Sequence, residues 1–282
     1  MRQGADDPPM DAARAFRELI RVPEPDIDLA RGALCIARIE YPRLLPDRTL
    51  AALDELAARS GAAGLDDGLR ILHRLREFLF AEEGFRGNAD DYYDPRNSCL
   101  NDVLERRLGI PITLALVVME VGARVGLRIK GIGLPGHFVV GAQLEADSVL
   151  LDPFNGGAVL TPDGAHRVVS RAVGRPVKLT EENFAPCSRR QILGRMLGNL
   201  KAVYVSRREW TKALATIECL LTVEADVPAH RRDRGSVLVK LGQFHRGVAD
   251  WERYLTENLD APDTEAVRQQ LRRVREGLAA LN

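Results

Sequence analysis

Between Gly109 and Asp152 the chain sets a histidine and an aspartate where two short strands would bring them together. His137 follows Pro135-Gly136 and opens an apolar run. Asp152 closes the run Val149-Leu150-Leu151. An imidazole oriented by a carboxylate can take a proton from a nucleophile and return it to a leaving group, which is the chemistry of acyl transfer. The nucleophile is what this segment lacks. It contains no cysteine, and at the start of the helix that Pro111 opens the one nucleophilic side chain is Thr113. A threonine hydroxyl is far less acidic than a thiol and attacks poorly without strong activation.

Each of these residues also has a reading without chemistry, and the sequence leaves both open. His137 can be a buried strand histidine satisfied by Asp152. Asp152-Pro153-Phe154-Asn155-Gly156-Gly157 can be only a turn, in which Asp and Asn bond the local backbone and Gly supplies positive φ. Thr113 can be an ordinary first-turn helix residue, and Asn97 and Asn101 can hold loop backbone.

The elements that would position them follow from patterning. Pro111 suits a first helical turn, where its missing N–H would have had no partner. Segments 127–134, 137–144 and 148–151 are short, rich in Val, Ile and Leu, and separated by Gly and Pro, which predicts an antiparallel meander. Upstream, apolar residues at helical spacing predict helices over 11–21, 27–39, 50–59 and 68–83, with Pro23, Pro25, Pro42 and a Leu45-Pro46-Asp47 turn between them. A polar loop over 88–97 follows. Ser98 is expected to cap a helix over 99–108 that Gly109 ends. Segment 168–180 fits either helix or strand.

From about Cys187 the sequence is helical again and repeats. Trp210 matches Phe244, Ala213 matches Gly247, Glu218 matches Glu252, Leu220 matches Tyr254, Leu221 matches Leu255, Asp226 matches Asp260 and Pro228 matches Pro262, each pair at one common offset. The offset, 34 residues, is that of the tetratricopeptide helix-turn-helix unit. Two such units and a terminal helix over 264–281 are few for a free-standing solenoid, so the repeats should pack on what precedes them. Trp210 and Trp251 fall at packing positions, and the run Arg231-Arg232-Asp233-Arg234 reads as a solvated face.

Composition narrows the function classes. The 40 basic and 40 acidic residues cancel, so the basic footprint of a nucleic-acid binder is missing. No apolar run approaches the length that spans a bilayer, and the N-terminus is polar, so the expected location is cytoplasmic and no membrane partner is expected. Cys35, Cys99, Cys187 and Cys219 are scattered, and so are the five histidines. Neither a disulfide framework nor a metal site is expected. Cys99 and Cys219 read as core residues; Cys187 lies in a linker.

Taken together, Asn97-Ser98, Leu100 to Arg107, Gly109 to Leu114, Pro135-Gly136-His137-Phe138 and Leu151 to Gly157 resemble the SirB-type bacterial proteins, which join a transglutaminase-like core to tetratricopeptide repeats; a related core occurs in an F-box protein of animals. The likeness runs from about Asp11 to Asn282. It implies an α+β fold: a helical N-terminal region (1–96), a papain/transglutaminase-like α+β core (97–185) and an all-α tetratricopeptide-like region (186–282). In active enzymes with this core a cysteine opens the core helix, and a histidine and an aspartate follow on neighbouring strands. His137 matches that histidine and Asp152 that aspartate. The helix start matches Pro111–Thr113, without the cysteine, a loss SirB-type proteins generally share. The resemblance and the residues therefore point to a non-catalytic, pseudo-enzyme module that binds a protein or peptide, with His137, Asp152 and Thr113 as candidate remnants of a catalytic site. Asn97, Asn101, Pro111 and Asn155 are candidate binding residues, and no cofactor is expected. The alternative is a hydrolase or acyltransferase acting on peptide amides, in which a His137–Asp152 dyad activates Thr113 or a water.

Overall fold

The computed structural model describes residues 8–144 and 148–280; the first seven residues and the end of the expected terminal helix at Leu281 lie outside that range. Four N-terminal helices come first: α1 (Pro8–Leu19), α2 (Leu29–Ala37), α3 (Pro46–Arg59) and α4 (Gly68–Arg76). Pro46, expected in a turn, instead opens α3, where its missing N–H costs nothing. The expected helix over 68–83 is two pieces. After α4 the backbone widens into a π-helical stretch, Glu77–Glu82, that carries Phe78 and Leu79 into the core.

A two-residue strand β1 (Arg86–Gly87) precedes α5 (Leu100–Arg106), and β2 (Leu108–Gly109) pairs with β1 in parallel. Two expectations fail here. Ser98 does not cap α5: Asp94 accepts from Arg96 N and sets up a 3-10 turn over Pro95–Ser98, so the helix starts one residue later, from Cys99. Gly109 does not end α5 either. Arg107 takes the left-handed conformation (φ 59°). Its carbonyl accepts from Arg86 N, its guanidinium reaches Glu83 at 2.6 Å and stacks over Phe85, and these contacts outweigh the preference for glycine.

The buried helix α6 (Pro111–Arg124) packs against the antiparallel sheet β3 (Ile129–Leu134), β4 (His137–Gln143), β5 (Ser148–Asp152) and β6 (Ala158–Leu160), whose order is β3-β4-β5-β6. The meander is as patterned, with β6 as an added fourth strand. Helix α7 (Pro162–Val173) covers the other side through Ala165 and Val169, which cluster with Ile132, Leu134 and Val139. Segment 168–180 is thus the end of α7 followed by an irregular stretch.

The rest is helical: α8 (Arg189–Ser206), α9 (Trp210–Val223), α10 (Pro228–Lys240), α11 (Phe244–Glu257) and α12 (Thr264–Ala279). Helices α9 and α11 start at Trp210 and Phe244, the two residues paired by the sequence repeat. The repeats do pack on what precedes them. One hydrophobic cluster runs from Ala12 and Phe16 through Leu116 and Val117 to Leu193, Leu214 and Leu238. Glu40 crosses the same junction, accepting from Tyr204 Oη and Lys212 Nζ, each at 3.0 Å. A second cluster, Trp251, Tyr254, Val267 and Leu271, closes the far end. The run Arg231–Arg234 is not a solvated face. Arg234 forks onto Asp250 with two bonds of 2.7 Å, and Arg232 pairs with Asp233 and Asp263, so these half-buried guanidinium groups tie α10 to its neighbours.

Candidate functional site

His137 owes its place to a two-residue turn. Leu134 and His137 are the last paired residues of the β3–β4 ladder. Between them Pro135 presets one turn angle and Gly136 takes φ 65°, which a side chain at that position would resist. The imidazole is 6% exposed. Asp152, the last residue of β5, is fully buried, and its Oδ2 lies 3.0 Å from His137 Nε2. An ionised carboxylate only accepts, so Nε2 carries the proton and Nδ1 is left without a hydrogen-bond partner among the described residues.

The carboxylate is held from all sides. Oδ1 accepts from Phe154 N (3.1 Å) and Asn155 N (3.2 Å), and Oδ2 also accepts from Asn155 Nδ2 (2.7 Å). Burial pushes the Asp152 carboxyl up, but the bonds from His137 and Asn155 outweigh it and leave the group below its ordinary value. The pair and the turn, alternatives in the sequence, coexist: one carboxylate serves both. Phe154, presented by this turn, packs edge-on against the His137 ring with 6.1 Å between centroids. It fits there because residue 87 is glycine; a Cβ on Gly87 would come within 2.6 Å of the Phe154 ring.

A pocket of about 140 Å³ opens beside the pair. His137, Gly136 and Phe138 line one side, Pro111 and Ile112 at the start of α6 another, and Tyr92, Arg195 and Asn199 complete it. The structure thus brings His137, Asp152, Asn155 and Pro111 into one neighbourhood. It places the other candidates elsewhere. Thr113 is fully buried, its hydroxyl donating to Asn97 O at 2.7 Å and accepting from Ile110 N at 3.2 Å. That is a capping arrangement, and the hydroxyl does not line the pocket. Asn97 is a loop staple: Nδ2 donates to Asp91 O at 2.7 Å, and Oδ1 accepts from Asn88 Nδ2 at 3.0 Å. Asn101 is half-buried on α5, its Oδ1 without a partner among the described residues.

No thiol replaces the missing one. Cys99 is fully enclosed, and burial raises its thiol well above the ordinary value. Cys219 is raised by burial too, and Cys187 lies against Gly131, its N–H donating to the Gly131 carbonyl at 2.8 Å. All four cysteines are free. Among the described residues no three His, Cys, Asp or Glu side groups converge to hold a metal ion. A larger cleft, about 890 Å³, lies between the C-terminal end of α6, β3 and Pro186–Ile192. It contains neither His137 nor Asp152, so chemistry rather than volume selects the smaller pocket.

Patterning missed Arg195, Asn199 and Tyr92. Arg195 Nη2 donates to the carbonyls of His137 (2.8 Å) and Leu134 (3.0 Å), and its guanidinium lies over the Phe138 ring. Burial pulls it below the ordinary arginine value. The only local signal was that Arg195 and Asn199 stand four apart on one helix and so share a face.

Comparison with known proteins accounts for the layout. Residues 47–198 match the transglutaminase-like superfamily and residues 200–272 match the tetratricopeptide repeat. The protein is 35% identical to a UPF0162 protein of Xylella fastidiosa, over 87% of this chain and 91% of that one, and 28% identical to a UPF0162 protein of Vibrio cholerae, over 87% and 92%. It is 29% identical to the mouse F-box only protein 21, over 46% of this chain but 21% of that protein. No solved structure matches it. The chain belongs to the UPF0162 family and carries a transglutaminase-like domain followed by tetratricopeptide repeats.

Proposed function

We propose that this UPF0162 protein is a non-catalytic module, its transglutaminase-like cleft binding a peptide segment of a protein partner. The observation that carries the reading is the fate of the nucleophile. The hydroxyl of Thr113 is spent on Asn97 O and Ile110 N, and no thiol stands at the start of α6. The members of a catalytic triad act as a unit, and losing the nucleophile alone costs orders of magnitude in rate. What remains, His137 on Asp152 beside a pocket, is a rigid and polar recognition surface. Residues 97–185 supply the pair, and α8 adds Arg195 and Asn199. A cytoplasmic location and the finer likeness to SirB-type proteins belong to the same reading, which the four free cysteines and the domain layout support. Among the described residues no helix is long and apolar enough to cross a membrane.

One feature favours a second reading. The unpartnered Nδ1 of His137 could accept a proton from a water held in the pocket, with backbone N–H groups at the start of α6 stabilising an oxyanion. Mass spectrometry of a panel of acetylated peptide amides, incubated with the protein and then separated from it, decides between the two. The expected result is retention without mass change, lost in a folded His137→Ala/Asp152→Ala variant. Hydrolysis or acyl transfer that disappears in His137→Ala would overturn the binding reading.

A further inference from the structure

Among the described residues Arg195 is a cation without a counter-ion. Its Nη2 is spent on two backbone carbonyls, while Nε and Nη1 make no hydrogen bond among the described residues. No carboxylate of those residues lies within ion-pair distance, and the acidic groups that act on it are the Cys187 thiol and the Tyr92 phenol, both ordinarily neutral. Charges taken out of water are normally paired. Most part-buried arginines among the described residues are: Arg106, Arg107, Arg124, Arg190, Arg232 and Arg234 each have a carboxylate, and Arg38, whose buried Nε has no partner, is an exception.

The pocket that Arg195 lines is polar on the same side. The Asn199 amide group makes no hydrogen bond among the described residues, His137 is more than nine-tenths buried with Nδ1 unpartnered, and the first turn of the 14-residue helix α6 closes the pocket at Pro111 and Ile112. A helix start favours negative charge. No aspartate or glutamate lines the pocket. Its 140 Å³ is the room of about four or five water molecules, enough for a carboxylate and the carbon that bears it.

We infer that this pocket is a carboxylate subsite, in which Arg195 and Asn199 hold the carboxylate of a peptide ligand beside His137. The inference rests on the binding-module reading above and adds the chemistry of the group recognised. Arg195 suits the task because its planar fork keeps two bonds to backbone through Nη2 while Nε, and Nη1 against Gly133, retain unbonded N–H groups. Protonated, the His137 ring would add an N–H from Nδ1. Tyr92, over a third exposed at the rim and edge-on to Phe154, offers an apolar wall for the residue that precedes the carboxylate. The carboxyl terminus of a peptide and an acidic residue within it present the same group.

The test is NMR of the labelled full-length protein titrated with three probes: N-acetyl-Ala-Leu-Ala as the free acid, the same peptide as its C-terminal amide, and N-acetyl-Ala-Glu-Ala amide. The free acid is expected to shift the Arg195 Nε–H, the Asn199 side-chain amide and the Ile112 amide saturably, and to bind at least about tenfold more tightly than its amide. Arg195→Gln should remove that preference. Because Arg195→Gln also loses the bonds to Leu134 and His137, Asn199→Ala provides a second variant that leaves them intact and should weaken the free acid several-fold. If the Glu-containing amide binds as the free acid does, the site takes acidic side groups as well; if it does not, the site reads peptide termini. Equal binding of free acid and amide at His137 would overturn carboxylate recognition while leaving the binding-module reading in place. Turnover of either amide would overturn that reading instead. Shifts confined to other surfaces, or no response to any probe, would overturn the subsite.

Discussion

Replacing Asp152 with asparagine exchanges one carboxylate oxygen for an NH2 group and tests the centre of the site. The carboxylate accepts four hydrogen bonds: two backbone N–H groups on Oδ1, and His137 Nε2 and Asn155 Nδ2 on Oδ2. In Asp152→Asn the amide oxygen can keep the two backbone donors. The new NH2 then faces two other donors. His137 must move its proton to Nδ1 to accept from it, and Asn155 Nδ2 loses its partner. A hydrogen bond to a charged group contributes about 1.5–3 kcal/mol, and a buried donor left unsatisfied costs about 1–3 kcal/mol. The expected loss at pH 7 is therefore about 2–4 kcal/mol, read from urea unfolding of both proteins. The pH dependence supplies the control. The folded Asp152 carboxyl lies below its ordinary value of 3.8, so its stabilisation is complete above that value and disappears as pH falls through the lower, folded one. The gap between wild type and Asp152→Asn should therefore shrink as pH falls below about 4. Equal urea midpoints at pH 7, or a gap that fails to shrink below about pH 4, would refute the assignment of the pair as a buried ion-stabilised contact.

Three further outcomes are expected. Thr113→Val removes a hydroxyl from between Asn97 O and Ile110 N and should cost about 1–3 kcal/mol in urea unfolding, while peptide retention is unchanged; retention abolished in a folded Thr113→Val would return this residue to the site. Trp251→Ala empties the closing cluster of the repeats, where the indole is 2% exposed and its Nε1 donates to Arg232 O at 3.1 Å. It should cost about 3–5 kcal/mol, seen as lost hydrogen-exchange protection in α10 to α12 with the His137 ring signals unmoved. Cys99 should stay unmodified when the native protein meets iodoacetamide and react only after unfolding, as peptide mass spectrometry would show; rapid native labelling would contradict its enclosure and raised thiol.

What the sequence determined by itself was whatever depends on neighbours along the backbone. Pro135-Gly136 makes a two-residue turn wherever it stands between strands, so His137 had to begin β4 directly after it. The 34-residue offset between Trp210 and Phe244 needed no tertiary information, because each repeat helix is built from its own periodic residues. The missing nucleophile was equally plain, since an absence at Pro111–Thr113 can be read from residue types alone. Asp152 was legible as a partner or as a turn, and its four acceptor contacts make it both. Tertiary structure decided the rest, and for one reason: the deciding contacts join residues far apart in sequence. Arg107 takes a left-handed conformation that glycine would ordinarily claim because Arg86, Glu83 and Phe85 lie across from it in a two-residue parallel pair. The Arg231–Arg234 run became an internal clamp only once α11 and α12 brought Asp250 and Asp263 to it. Arg195 stands on α8, 58 residues beyond His137, yet it bonds the backbone of that residue. No periodicity could place it there, because its address depends on how α8 lies against the sheet.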